Sequence, residues 1–149
     1  MAGHLIRRLH QRSTQTFARH AQDAGFDLTP VQFAAMDAIR SHPGVDQARV
    51  ATLIAYDRAT IGGVIDRLEQ KGLVRREVSR HDRRAREVFL TRVGERLLLE
   101  ALPTVRALQA DILARLDERE RARFLALARK AIGPELADEV AVGAPEPKR

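Results

Sequence analysis

The side chains best suited to chemistry here are arginines, and they are concentrated in one stretch. Residues 40–92 hold twelve basic and seven acidic side chains, so this third of the chain carries +5 of the formal net charge of +6. Its densest part, 71–86, has seven basic residues against two acidic ones, and all of those cations except Lys71 are arginine. A charge run is most often a solvated face. Arginine points further, because its planar fork matches phosphate oxygens and the O6/N7 edge of guanine. Two groups stand out. In Asp57-Arg58-Ala59-Thr60-Ile61-Gly62-Gly63, Arg58 is the long cation beside a hydroxyl and a glycine pair, with Arg67 two helical turns further on. In Arg80-His81-Asp82-Arg83-Arg84, three arginines crowd a polar segment without hydrophobic period. This is the chemistry of binding a polyanion, with nucleic acid the first candidate.

Other chemistries lack their materials. The 149 residues include no Cys, which excludes disulfides, thiolate metal sites, a cysteine nucleophile and a thiol redox sensor. The five histidines, at 4, 10, 20, 42 and 81, form no His-Glu-x-x-His pair. No metal and no cofactor is therefore expected. Gly-x-Ser-x-Gly, a P-loop and a dinucleotide glycine motif are all missing, so an enzyme is not expected. No apolar run approaches the ~18 residues that span a bilayer. Residues 1–9 are basic without a following apolar run, unlike a secretory signal. The expectation is a soluble, cytoplasmic, basic single domain.

The elements that must position these arginines can be read from period and punctuation. Residues 5–24 form a first helix stopped by Gly25. Thr29-Pro30-Val31-Gln32 is a capping-box start for a second, which ends at His42-Pro43-Gly44. Phe33 and Met36 lie off its main apolar row, so this helix is expected to be covered on more than one side. Asp46 caps a short helix over 47–54, and Ala55-Tyr56 turns the chain. Asp57 then caps a helix over 58–71 whose inward face is Ile61, Val64, Ile65 and Leu68, with Gly72 as its stop. Residues 73–78 and 86–90 read as antiparallel strands joined by the arginine-rich tip. Thr91 opens a helix that keeps its period from Val93 to Leu116, about seven turns, with Pro103 expected to kink it. Asp117-x-x-Glu120 starts a last helix, and Gly133-Pro134 ends it. The tail at 142–149 is expected to be disordered.

Helix, short helix, turn, helix and hairpin is the layout of a winged helix-turn-helix. The fold class expected is mainly α with a small β-hairpin wing, plus a helical dimerisation region. In such a fold the second helix of the pair enters the major groove by its N-terminus. That assigns Arg58 to a guanine, Thr60 to a base or phosphate and Arg67 to a phosphate that sets register. Gly62 and Gly63 cost helix stability, ~1 kcal/mol each against alanine. They serve close backbone approach to DNA, pack closely on a neighbour or simply loosen the helix. Arg80, Arg83 and Arg84 at the wing tip suit a minor groove.

Asp57-Arg58-Ala59-Thr60, the run from Asp66 to Arg76, Asp82-Arg83-Arg84-Ala85 and Leu90-Thr91-x-x-Gly94, taken in order, resemble the MarR family of transcriptional regulators over about residues 5–132. The resemblance implies a MarR-type domain with a winged lobe at 29–90 and a dimerisation region at 5–24 and 92–132. It implies a homodimer on a pseudo-palindromic operator in double-stranded DNA, usually as a repressor. By the same analogy Arg84 enters the minor groove and Asp82 orients the wing. A small aromatic acid or phenol is implied as effector, releasing DNA from the promoter of a catabolic or efflux operon. Relatives usually carry larger polar residues where Gly62 and Gly63 stand.

The dimer has separate support, since the apolar rows of the first helix and of the helix from Val93 would otherwise lie poorly covered. For the effector, candidate polar contacts are His10, Arg12 and Ser13, with Phe17, Phe33 and Met36 as walls. Ordinary roles compete at each: an ion pair for Arg12, an interfacial histidine at His10, core packing for the three apolar residues. Two other readings stand beside the repressor: a regulator without a small-molecule effector, and a helical dimeric module for binding proteins. The arginine-tipped hairpin argues against the second.

Overall fold

The computed structural model describes residues 1–133, and the expected disordered tail lies outside them. In chain order the elements are α1 (Ala2–Ala24), α2 (Pro30–Ser41), β1 (Val45–Asp46), α3 (Gln47–Leu53), α4 (Arg58–Gln70), β2 (Val74–Val78), β3 (Arg86–Leu90), α5 (Arg92–Ile112) and α6 (Glu118–Ile132). The described residues divide into two units, one of Met1–Asp27 with 101–133, the other Leu28–Glu100. Helix α5 contributes to both.

Local capping chemistry starts the helices of the second unit. Thr29 accepts the Gln32 N–H at 3.2 Å while the Gln32 side chain accepts the Thr29 N–H at 3.1 Å, a complete capping box ahead of Pro30. Asp46 accepts the Arg49 N–H at 2.8 Å and starts α3. The turn between α3 and α4 passes through Ala55, whose φ of 57° is left-handed, and returns through the Tyr56 N–H to the Ala51 carbonyl at 2.9 Å. After α4, Gly72 (φ 73°) reverses the chain, and Leu73 donates to the Leu68 carbonyl at 2.9 Å.

The inward face of α4 is the expected one: Ile61, Val64, Ile65 and Leu68 are its buried residues. They meet a core that includes Met36 and Ile39 of α2, Val50 of α3, Val74 of β2 and Val88 of β3, all fully buried. Helix α2 is covered on more than one side, with Phe33, Ala35, Met36 and Ile39 all buried. Burying that face turns Arg58, Gly63, Asp66 and Arg67 of α4 outward.

The sheet differs from the expected hairpin by one strand. It is antiparallel with β3 central, in the order β1-β3-β2. Strands β2 and β3 pair from Val74↔Leu90 to Val78↔Arg86, and β1 adds Val45↔Val88 on the far side. Two residues cannot display an alternation, so β1 carried no sequence signal. Gly44 makes it possible: at φ 80° it donates to the Val88 carbonyl at 3.1 Å, and a Cβ there would stand 3.2 Å from the Phe89 ring.

In the first unit, Phe17 meets Phe26 edge-on at 6.1 Å between ring centroids. Helix α5 runs through Pro103 and ends at Ile112, one turn before the expected Leu116. Its last carbonyls find a partner far away in sequence. Arg12 of α1 donates its Nε to the Ile112 carbonyl at 2.8 Å and an Nη to the Asp111 carbonyl at 3.3 Å. The guanidinium so caps carbonyls that further helix would have used. Beyond them the backbone closes tighter turns, Ala114 to Asp111 and Leu116 to Leu113.

Candidate nucleic-acid interface

The N-terminus of α4 is built around Asp57. Its carboxylate accepts the Thr60 N–H at 2.8 Å and the Thr60 hydroxyl at 2.6 Å. These bonds, the hydroxyl's first, hold the Asp57 carboxyl below its ordinary range. Thr60 thus commits its hydroxyl proton to the cap. Arg58, the next residue after the cap, is exposed, as is Arg67. The glycine pair leaves backbone bare. A Cβ on Gly63 would meet nothing within 4 Å, and one on Gly62 would reach only the Gln47 side-chain nitrogen at 3.4 Å. Close packing on a neighbour therefore does not account for Gly63.

The tip of the wing is folded by its own short side chains. Ser79, which is buried, accepts the N–H groups of His81 at 3.2 Å and Asp82 at 3.3 Å. Asp82 in turn accepts the Arg84 N–H at 2.9 Å, and its carbonyl takes the Ala85 N–H at 3.0 Å. With the backbone satisfied in this way, Arg80, His81, Arg83 and Arg84 are exposed together. At the base of the wing, Arg75 stacks over Phe89 at 4.4 Å from the ring centre and pairs with Glu77.

A cleft of about 470 Å³ opens between these two parts, lined by Arg58 of α4, Asp82, Arg84 and Arg86 of the wing, and Asp46 and Gln47 before and at the start of α3. Arg76 also lines it. This residue did not stand out from its charge run in sequence. It binds Glu69 through Nε and Asp66 through Nη2, both at 2.6 Å, and Gln47 through Nη1 at 3.3 Å. Burial works against its charge, but the hydrogen bonds and charges of Glu69 and Asp66 outweigh it and raise the guanidinium above its ordinary value.

The candidate effector residues are distributed over both units. His10 and Ser13 line a groove of about 680 Å³ in the first unit, walled by Leu9, Ile112, Leu113 and Phe124 among others. Arg12 is engaged by the C-terminus of α5. Phe17, in the first unit, is buried; Phe33 and Met36, in the second, are buried too. Sequence reading also missed the pairing of His20 with Asp111 at 2.7 Å, because ninety-one positions separate them. Among the described residues, no group of three or more His, Cys, Asp or Glu is placed to hold a metal, and no helix is long and apolar enough to cross a membrane.

A model of the MarR family matches residues 26–85. The transcriptional regulator HosA of Escherichia coli is 36% identical over 129 residues, spanning 87% of this chain and 93% of HosA. The chain belongs to the MarR family. It is a winged helix-turn-helix regulator of transcription, and not an enzyme. Other MarR-family relatives are similarly placed. The HTH-type transcriptional repressor NicR of Pseudomonas putida is 37% identical over 130 residues, covering 87% of this chain and 81% of NicR. The solved structure of Bordetella bronchiseptica BpsR, whose DNA binding is regulated by 6-hydroxynicotinic acid, matches with a TM-score of 0.81 at 32% identity, over 89% of this chain and 98% of that one.

Proposed function

We propose that this MarR-family chain is a homodimeric repressor of a catabolic or efflux operon that reads a pseudo-palindromic operator and leaves it when a small aromatic acid or phenol binds. The observation that carries the DNA reading is that Arg58 of α4 and Arg84 of the wing face one cleft. In this reading the first turn of α4 enters the major groove with Arg58 on a guanine edge. Thr60 lies beside it, and the bare backbone at Gly62 and Gly63 permits close approach. Arg67 takes a phosphate and sets the register. Arg84, with Arg80 and Arg83 alongside, enters the adjoining minor groove, and Asp82 holds the backbone that aims it.

Dimerisation is supported by apolar side chains left in solvent, though less by the row of α5 than expected, since its Leu98, Ala101, Leu102, Val105 and Leu108 are already buried within one chain. Leu5 and Ile6 of α1 and Leu125, Leu127 and Ile132 of α6 are exposed, and no residue of α6 is buried. A second copy over this surface removes it from water. Two-fold symmetry then sets half-sites about one helical turn apart, ~10 base pairs. The effector reading draws support from BpsR and its 6-hydroxynicotinic acid. His10 and Ser13, at the groove, are its proposed polar contacts in a pocket completed by the dimer. One observation favours a regulator without such an effector: the guanidinium of Arg12, best suited to a carboxylate, is already engaged.

The test is selection of duplexes from a random pool, then anisotropy titration of the winner with and without aromatic acids, 6-hydroxynicotinic acid among them. A two-fold symmetric winner released by one acid supports the whole reading. A symmetric winner indifferent to every acid leaves the effector-free regulator. No enrichment at low salt overturns the DNA reading.

A further inference from the structure

Arg76 lies in a cleft lined by arginines, where a cation would ordinarily be read as a phosphate contact. Its geometry points elsewhere. Each of its three guanidinium nitrogens meets a protein acceptor, with both carboxylate contacts at 2.6 Å. The Arg76 side chain is 27% exposed, less than the 53% of Asp66 and 42% of Glu69. Two carboxylates on one guanidinium leave no positive charge to offer a phosphate. The four residues lie on three elements: Gln47 on α3, Asp66 and Glu69 on α4, and Arg76 on β2. The fork thus ties the start of the wing to the exposed side of α4 and to the helix before it. A planar fork holding two acids at once fixes orientation as well as distance, which a single charge pair does not.

We infer that Arg76 is a positioning residue for DNA recognition, a clamp that fixes the spacing between the base contacts of α4 and the minor-groove contact of the wing. This rests on the DNA reading above. If α4 reads one part of each half-site and the wing the flank, their separation in the protein becomes a required separation in the operator. The clamp then contributes specificity for spacing without touching DNA.

The experiment uses the operator won by selection and a second duplex in which both flanks are moved by a single base pair relative to the core of the half-sites. Affinities of the full chain are measured on both by anisotropy. The variants are Arg76→Met and the double variant Asp66→Asn/Glu69→Gln. They break the clamp from opposite sides and change the charge in opposite directions, the first losing a cation and the second two anions. The wild-type chain is expected to prefer the original spacing by about tenfold. Both variants are expected to bring that preference within about twofold, although the first binds all DNA more weakly and the second more tightly. Thermal melting checks that each is folded, and the double variant carries the test if Arg76→Met is not. Charge alone would shift both affinities together and preserve the preference, which overturns the clamp and leaves the DNA reading standing. A wild-type chain indifferent to spacing overturns the clamp as well. A wild-type chain with no preferred duplex overturns the DNA reading, and the clamp with it.

Discussion

Thr91 donates its hydroxyl to the Gly72 carbonyl at 2.6 Å, and the same oxygen accepts the Gly94 N–H at 3.0 Å. One side chain therefore closes the wing onto the turn that follows α4 and caps α5. The Thr91 N–H adds a bond to the Leu73 carbonyl at 3.0 Å. The first turn of α5 is drawn so close to Leu73 that only a hydrogen fits at Gly94. The Leu90-Thr91-x-x-Gly94 pattern is thus a packing requirement in this chain.

Gly94→Ala tests that requirement. An added Cβ would stand 2.8 Å from the Leu73 carbonyl carbon and nearer still to its oxygen, an obstacle of backbone that no side-chain rotation removes. The expected loss is about 1–3 kcal/mol of stability, read as a lower urea midpoint. An unchanged midpoint would mean that the end of α4 and the start of α5 separate at little cost.

Gly63→Ala should separate stability from binding. The new methyl group meets nothing within 4 Å, so the helix gains about 0.5–1 kcal/mol from propensity alone. If Gly63 serves close approach to DNA, operator affinity falls while the urea midpoint rises. A midpoint gain with unchanged affinity would assign the glycine no part in binding.

The two proposed DNA arginines have different signatures. Arg84→Ala is expected to weaken operator binding while leaving the dimer intact by sedimentation; undiminished affinity would remove its minor-groove role. Arg58→Ala is expected to relax preference at a single base pair of each half-site, with about 1–3 kcal/mol of discrimination lost there. An even loss over all sequences would make Arg58 a phosphate contact.

The cap on α4 carries a pH dependence whose sign follows from Asp57. The Thr60 hydroxyl and N–H hold its carboxyl below the ordinary 3.8. A depressed carboxyl contributes stability that is present above its unfolded value and lost as pH falls through the folded one. Comparing urea midpoints at neutral pH and below 3.8, the wild-type chain should lose more than Asp57→Asn, which keeps a cap but no titration in this window. Equal losses would place the acid sensitivity in other carboxyls.

What could be read ahead of the structure was mostly local. Thr29, Asp46, Asp57 and Asp117 cap the helices assigned to them because a capping side chain and the N–H that donates to it lie only three residues apart. The α4 face and strand β3 also followed from period alone. What escaped depended on distance in sequence. The end of α5 is capped by Arg12, a hundred positions away. Arg76 was hidden inside its own charge run, since a string of cations does not disclose which of them already has carboxylate partners. Its acids, Asp66 and Glu69, were in plain view on α4 but read only as part of a family pattern. Phe17, Phe33 and Met36 showed the converse ambiguity, because an apolar residue on a helix looks the same whether it walls a ligand or fills a core.

The preference for arginine in the wing has a chemical corollary. From Gly72 to Arg92 every cation is a guanidinium, and no lysine occurs. Acetyl transfer to an ε-amine, a common way to erase positive charge, has no target there. The same holds at the bench: amine-reactive dyes and coupling resins attach elsewhere, at Lys71 or Lys130 for example, so the protein can be immobilised or tagged through its amines with the arginines of the wing chemically untouched.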